Sequence, residues 1–254
     1  MTSTHSKSAY TRAQFLPDLL KKCIVVRAQP DGAVMGAPDV LESLSVVSIG
    51  HSADVLRDIA RPGVELAAWQ RNPDPAWAQW LAAMPAAVWP VCRLETTPDD
   101  AARALGAHFD ASGTPSGESC DAFVADIAGL VDKFAALAAT RRVRLRLDVV
   151  TGDDCCRWHR DCVPLRLICT YIGPGTLWIP PALVAAALAK PDDDAPQVLA
   201  LEAGDVALFK GCGWPGQGHD VGVVHRSPRI AGTGITRLVL VLDAVWPAIQ
   251  KIRA

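Results

Sequence analysis

His159 and Asp161 stand two residues apart in the stretch Trp158-His159-Arg160-Asp161-Cys162. In an extended chain, side chains two apart point to the same face, so an imidazole and a carboxylate can meet at one point. A metal site needs a third ligand from elsewhere. His225 is the best candidate, at the end of the strand-like run Val221-Gly222-Val223-Val224. Two histidines and one carboxylate on one side of an ion leave its other positions open, a ligand set that suits Fe(II) with exchangeable partners. A bare His-x-Asp is common, so its context matters. Asp161 and His225 are separated by 63 residues that hold four short strand candidates, among them Gly204-Asp205-Val206-Ala207-Leu208-Phe209. Arg237 lies twelve residues beyond His225 and opens the run Arg237-Leu238-Val239-Leu240-Val241-Leu242.

Sulfur competes for the same region. Cys155, Cys156, His159 and Cys162 fall within eight residues, and short-spaced thiols and imidazoles build structural zinc sites. The usual Cys-x-x-Cys knuckle is missing, however, and strand parity turns Cys162 away from the face shared by His159 and Asp161. Cys155, Cys162 and Cys169 read better as small core residues. His219, in the loop Gly216-Gln217-Gly218-His219-Asp220, is a substrate-contact or alternative-ligand candidate set against an ordinary exposed histidine. His5, His51 and His108 have no partner pattern. No convincing Ser-His-Asp or Cys-His nucleophile set appears.

The elements that must position these groups change character along the chain. Residues 1–140 read as helix and loop. Thr97-Pro98-Asp99-Asp100 is a helix start, with a capping hydroxyl, proline in the first turn and two acids near the positive end of the helix dipole. From about Cys120 to Thr140, Phe123, Ile127, Leu130, Val131, Phe134 and Leu137 recur at helical spacing. Trp69, Trp77, Trp80 and Trp89 suit a core seam. At Arg141 the period becomes two: Val143, Leu145, Leu147 and Val149 alternate with Arg144, Arg146 and Asp148. Seven more short strands are expected, near 157–162, 164–172, 175–179, 197–202, 205–210, 221–226 and 236–243, with a helical insertion at Ala182–Lys190. Eight short strands with Gly- and Pro-bearing turns indicate a β-sandwich or barrel, and the whole chain an α+β protein. The expected organisation is a helical and loop region over 1–140 packed on a core over 141–254.

Composition bounds the function classes. The chain has 254 residues, 50% of them hydrophobic, with a net charge of -2. That suffices for one large core and gives no electrostatic case for nucleic acid or an anionic membrane. The apolar run Ala182–Ala189 is too short for a bilayer span, and the opening MTSTHSKSAYTRAQF has no apolar core like that of a secretory signal. Eight cysteines in a long chain of this kind fit reduced thiols and a cytoplasmic setting. Oligomeric state is open at this level.

The His-x-Asp, the Gly-Asp strand, the distal histidine and the arginine opening the next strand together resemble the 2-oxoglutarate and Fe(II)-dependent dioxygenases, over about 143–243. The longer phrases CCRWHRDCVPLRLICTYIGPGTLW, GDVALFKGCGWPG, VVHRSPR and RLVLVLD resemble a bacterial domain-of-unknown-function family associated with metal-homeostasis genes. The first resemblance implies a double-stranded β-helix (jelly roll, cupin-like) with His159, Asp161 and His225 as Fe(II) ligands. It also implies a small-molecule or peptide substrate, and Arg237 pairing the far carboxylate of 2-oxoglutarate. A guanidinium fork suits that role because it matches a carboxylate and stays charged. Arg166, Arg226, Arg229 and Lys210 are alternative anion holders, with the hydroxyls of Thr170 and Tyr171 nearby. The second implies a fold and a metal site with Cys156 close by. It leaves open a non-catalytic or hydrolytic zinc protein on the same scaffold.

Overall fold

The computed structural model describes residues 46–195, 197–215 and 222–245. His5 and the loop with His219 lie outside them. The fold is mixed α/β around a seven-stranded sheet in the order β1-β2-β8-β5-β10-β4-β3. Its strands are β1 (Val47–Gly50), β2 (Leu66–Trp69), β3 (Cys92–Thr96), β4 (Val143–Val150), β5 (Leu165–Ile172), β8 (Val206–Lys210) and β10 (Arg237–Ala244). Every pairing is antiparallel except β1 with β2. A three-stranded antiparallel sheet, β7-β6-β9, is made of β6 (Leu177–Trp178), β7 (Leu199–Ala200) and β9 (His225–Arg226).

The alternation in each long strand sorts the side chains of the large sheet into two layers. Leu145 and Leu147 of β4, Leu167, Cys169 and Tyr171 of β5, and Leu238, Leu240 and Leu242 of β10 face the helices. Those helices are α1 (Pro75–Ala83), α2 (Ala101–Ala111) and α3 (Glu118–Leu137). Phe123 of α3 sits centrally, 4.8 Å from the Tyr171 ring, 5.8 Å from Trp77 and 6.2 Å from Phe109. One ion pair is set into this layer: Arg71 forks onto Asp126 of α3, and the Tyr171 hydroxyl donates to the same carboxylate at 2.6 Å. The opposite face buries Leu66, Ala68, Ile168, Ala207, Phe209 and Val239 together with Trp178, Leu201 and Val223 from the small sheet and its flanks. Of the functional candidates, Arg166, Thr170 and Arg237 lie on this second, inner face.

Several elements follow the sequence reading closely. The long helix runs Glu118–Leu137, β4 takes up the alternating run, and Trp77 is fully buried. Three differences have physical causes. The segment 157–162 is not a strand; its single ladder contact is His159 with His225. Asp153 explains part of this: its carboxylate accepts from the N–H groups of Ile230 and Ala231 at 2.7 and 2.8 Å, pinning 151–158 as a loop against the turn before β10. The region read as helix and loop supplies β1, β2 and β3, which pair within the same sheet as β4 and β10. These strands are four or five residues long, too short to declare a period. Finally, Thr97 precedes the helical turn at Pro98–Asp100, but its side chain makes no capping bond.

Phe123 is fully buried among aromatic rings on the helix side. Phe123→Ala should cost about 3–5 kcal/mol of unfolding free energy, read from urea denaturation. Metal stoichiometry of the folded fraction should not change, because the metal candidates occupy the other face.

Candidate metal centre

The site starts from a backbone constraint. His159 N–H donates to the His225 carbonyl at 3.1 Å and His225 N–H donates to the His159 carbonyl at 3.0 Å. Reciprocal bonds of this kind define a closely spaced antiparallel pair and set the two side chains side by side. The rings are 4.6 Å apart between centroids. β9 is itself held by Trp178 of β6 opposite His225, and Phe209 packs against the His225 ring at 4.7 Å.

Each imidazole is oriented by its own neighbourhood. His159 Nδ1 is 2.8 Å from the Arg157 carbonyl, and His225 Nδ1 is 3.0 Å from the Val223 carbonyl. A carbonyl only accepts, so each Nδ1 carries the proton and each Nε2 is left with a lone pair. Burial lowers the His225 pKa, against the opposing pull of Asp161, and so favours the neutral ring. Asp161 is buried, and its Oδ2 lies 3.5 Å from His225 Nε2 with no hydrogen-bond donor. Two buried lone-pair atoms facing each other repel unless a cation lies between them. Among the described residues, His159, Asp161 and His225 form the one group of three or more whose ligand atoms converge, all within 4.8 Å of one another. The donor set therefore fits a divalent ion bound through two Nε2 atoms and one carboxylate oxygen.

The other oxygen of Asp161 is already engaged. Arg166 Nη1 donates to Oδ1, while its Nε and Nη2 fork onto Asp243 at 2.7 and 3.1 Å, and Arg146 approaches Asp243 at 3.7 Å. Burial opposes the Arg166 charge, but the bonds to Asp243 and the charges of both carboxylates outweigh it. Oδ1 is thus tied to a guanidinium and Oδ2 is free for an ion.

Arg237 is 1% exposed on the inner side of β10. Its Nε donates to the Pro174 carbonyl at 2.7 Å and its Nη2 to the Thr170 hydroxyl at 3.3 Å. Both partners are neutral, no carboxylate pairs with it among the described residues, and burial pulls its pKa down to about 10. Gly173 makes room for it: a Cβ there would lie 3.0 Å from Arg237 Cγ and 2.8 Å from the Thr236 carbonyl, at a φ of +85°.

Residues 50–243 match the family model described as protein of unknown function, DUF1826. The chain belongs to the DUF1826 family. No curated protein matches it. Among solved structures it is similar to the rice dioxygenase for auxin oxidation, at 14% identity and a TM-score of 0.41 over 76% of this chain and 77% of that one. The Arabidopsis thaliana dioxygenase for auxin oxidation 1, in a binary complex with 2-oxoglutarate, gives 11% identity and 0.39 over 62% of each chain. A Pseudomonas putida prolyl-4-hydroxylase gives 15% and 0.30 over 68% of this chain and 93% of that one. These likenesses are distant, and the chemistry of this DUF1826 member has to be read from its own site.

The remaining sequence candidates are placed elsewhere. Tyr171 lies on the helix side, its hydroxyl spent on Asp126. Lys210 has the parity of that side; its ammonium donates to the Arg61 carbonyl at 3.2 Å and sits 4.8 Å over Trp214. Arg229 donates to the Asp192 carbonyl at the surface. Arg226 stacks on Trp158 at 4.2 Å and pairs with Asp194 at 2.7 Å. Arg166 shares the inner face but is committed to two carboxylates. No thiol joins the converging group, and all seven described cysteines are free. Cys156 closes a turn onto Asp153. Sequence reasoning missed Asp243, which anchors Arg166, and Phe209, which backs His225. The available signal for Asp243 was parity, since it shares the β10 face of Arg237.

His159→Ala and His225→Ala should each abolish stoichiometric divalent metal in protein purified without chelator, measured by elemental analysis. Cys156→Ser and Cys162→Ser should keep it. Metal that survives both histidine changes and is lost with either cysteine would place the site on sulfur.

Proposed function

We propose that this DUF1826 protein is a non-haem Fe(II), 2-oxoglutarate-dependent oxygenase on a double-stranded β-helix, acting on a small-molecule or peptide substrate. The observation that carries the reading is the convergence of ligand atoms from His159, Asp161 and His225, joined by a buried guanidinium, Arg237, without a carboxylate partner among the described residues. Desolvating an arginine beside neutral groups alone is costly, and a carboxylate of a diacid would offset that cost.

Bound Fe(II) supplies the redox chemistry, coupling oxidative decarboxylation of 2-oxoglutarate to oxidation of a substrate C–H bond. The chain supplies geometry and exclusion of water. His159 and His225 present Nε2 because two backbone carbonyls hold their Nδ1 protons. Arg166 occupies Oδ1 of Asp161, so the carboxylate would offer an ion a single oxygen. Arg237 receives the far carboxylate of the diacid, oriented by Thr170 and Pro174. Ile168, Phe209 and Val239 keep that face apolar, which strengthens the charge pairing.

Anaerobic titration of 2-oxoglutarate into the Fe(II) protein should produce the visible metal-to-ligand charge-transfer band of a chelated keto acid. Arg237→Met should raise the half-saturating concentration by about tenfold or more, the worth of a charge-assisted hydrogen bond, with metal content unchanged. No band in the wild type, or an identical titration in the variant, would shift the assignment to a metal-binding protein such as a zinc binder.

A further inference from the structure

The loop after Asp161 and the loop after β8 are locked together by contacts the metal site does not explain. Cys212 N–H donates to the Asp161 carbonyl at 2.9 Å, and Gly211 N–H donates to the Pro164 carbonyl at 3.0 Å. Gly211 has no room for a side chain: a Cβ would lie 2.0 Å from the Val163 carbonyl and 2.5 Å from that of Asp161. Gly213 packs less tightly, with a Cβ position 3.1 Å from the Pro164 nitrogen. The Asp161 carbonyl belongs to the peptide that leads into Cys162. The planar trans peptide holds the Asp161 oxygen about 2.8 Å from the Cys162 Cα, so adding that hydrogen bond and the Cys212 N–Cα bond puts the two Cα atoms about 7 Å apart or less. Burial, and next to it the neighbouring Cys162 thiol, hold the Cys212 thiol above its ordinary pKa. Disulfides span Cα separations of about 4.4–6.8 Å, so the bond can form with little backbone movement. Cys162 is exposed and Cys212 half-buried, so a small oxidant reaches the pair.

We propose that Cys162 and Cys212 form a reversible disulfide, an oxidation site on the backbone support of Asp161. The oxidant is a peroxide. It oxidises the exposed Cys162 sulfur to a sulfenic acid as its O–O bond breaks and one water leaves. Cys212 then attacks that sulfur, the S–S bond forms, the S–O bond breaks, and the second water leaves. Two thiols give up two electrons and two protons, and one hydrogen peroxide becomes two waters. The bond clamps the segment carrying Asp161 to the end of β8. It does not depend on the oxygenase reading, since the peroxide is supplied as a reagent.

The test treats the reduced full-length protein with equimolar hydrogen peroxide, blocks remaining thiols with N-ethylmaleimide and maps peptides without reductant. The expected product is a Cys162–Cys212 linked peptide, two hydrogens lighter than the thiol pair and reopened by dithiothreitol. Cys212→Ser should leave a sulfenic acid on Cys162 that dimedone traps. The oxidised wild type should melt at a higher temperature than the reduced, a rise absent from Cys162→Ser. A dominant link through Cys155 or Cys156, or a sulfinic acid on Cys162 with Cys212 still free in the wild type, would overturn the proposal.

Discussion

The buried carboxylate of Asp161 is the constraint around which this protein is arranged. A desolvated carboxylate is tolerated only when each oxygen has a use. One oxygen is paired with Arg166, and the other faces a histidine lone pair with no donor. Everything near it serves that division. Asp243 holds Arg166 in place, Arg146 balances Asp243, and the reciprocal backbone bonds between His159 and His225 fix the imidazoles opposite. Removing any one partner would leave a charge or lone pair buried without compensation, which costs far more than the intact set contributes.

The same bookkeeping links the two parts of the proposed site. Arg166 beside Asp161 withdraws negative charge from the carboxylate that would hold a dication in the proposed site. Arg237 adds a further positive charge on the inner face. A divalent ion alone would enter an already positive environment, whereas an ion together with a dianionic keto acid would not. Metal and cosubstrate would then favour each other's binding, a coupling that arises from charge and needs no conformational change.

Two layers divide the labour. The helix-side layer is built on large aromatic and aliphatic contacts, with Arg71, Asp126 and Tyr171 closing a single polar network inside it. It contributes stability and stiffness to the central strands. The inner layer buries fewer apolar groups and accepts several charged ones. Strand alternation lets β5 and β10 serve both at once: Leu167, Tyr171, Leu238 and Leu240 look one way, Arg166, Thr170, Arg237 and Val239 the other.

What the sequence by itself determined was local. Period two gave Val143–Val150 closely and helical spacing gave the long helix to within about three residues at each end, because each is long enough for its buried face to repeat. The parity that puts Arg237 opposite Leu238 also follows from spacing alone. Only the tertiary structure decided the rest. The strands β1–β3 are too short to carry a period, so their place in the large sheet depends on partners far along the chain. The segment around His159 looked like a strand but is held as a loop by Asp153 and touches β9 at one residue. Among five basic candidates for an anion, composition could not choose. The proposal for Arg237 rests on what each guanidinium or ammonium meets: Arg166 and Arg226 meet carboxylates, Arg229 and Lys210 meet carbonyls away from the inner face, and Arg237 stays buried there beside neutral groups. Which partner a charge finds is a long-range property, set by strand register and sheet packing that no local pattern encodes.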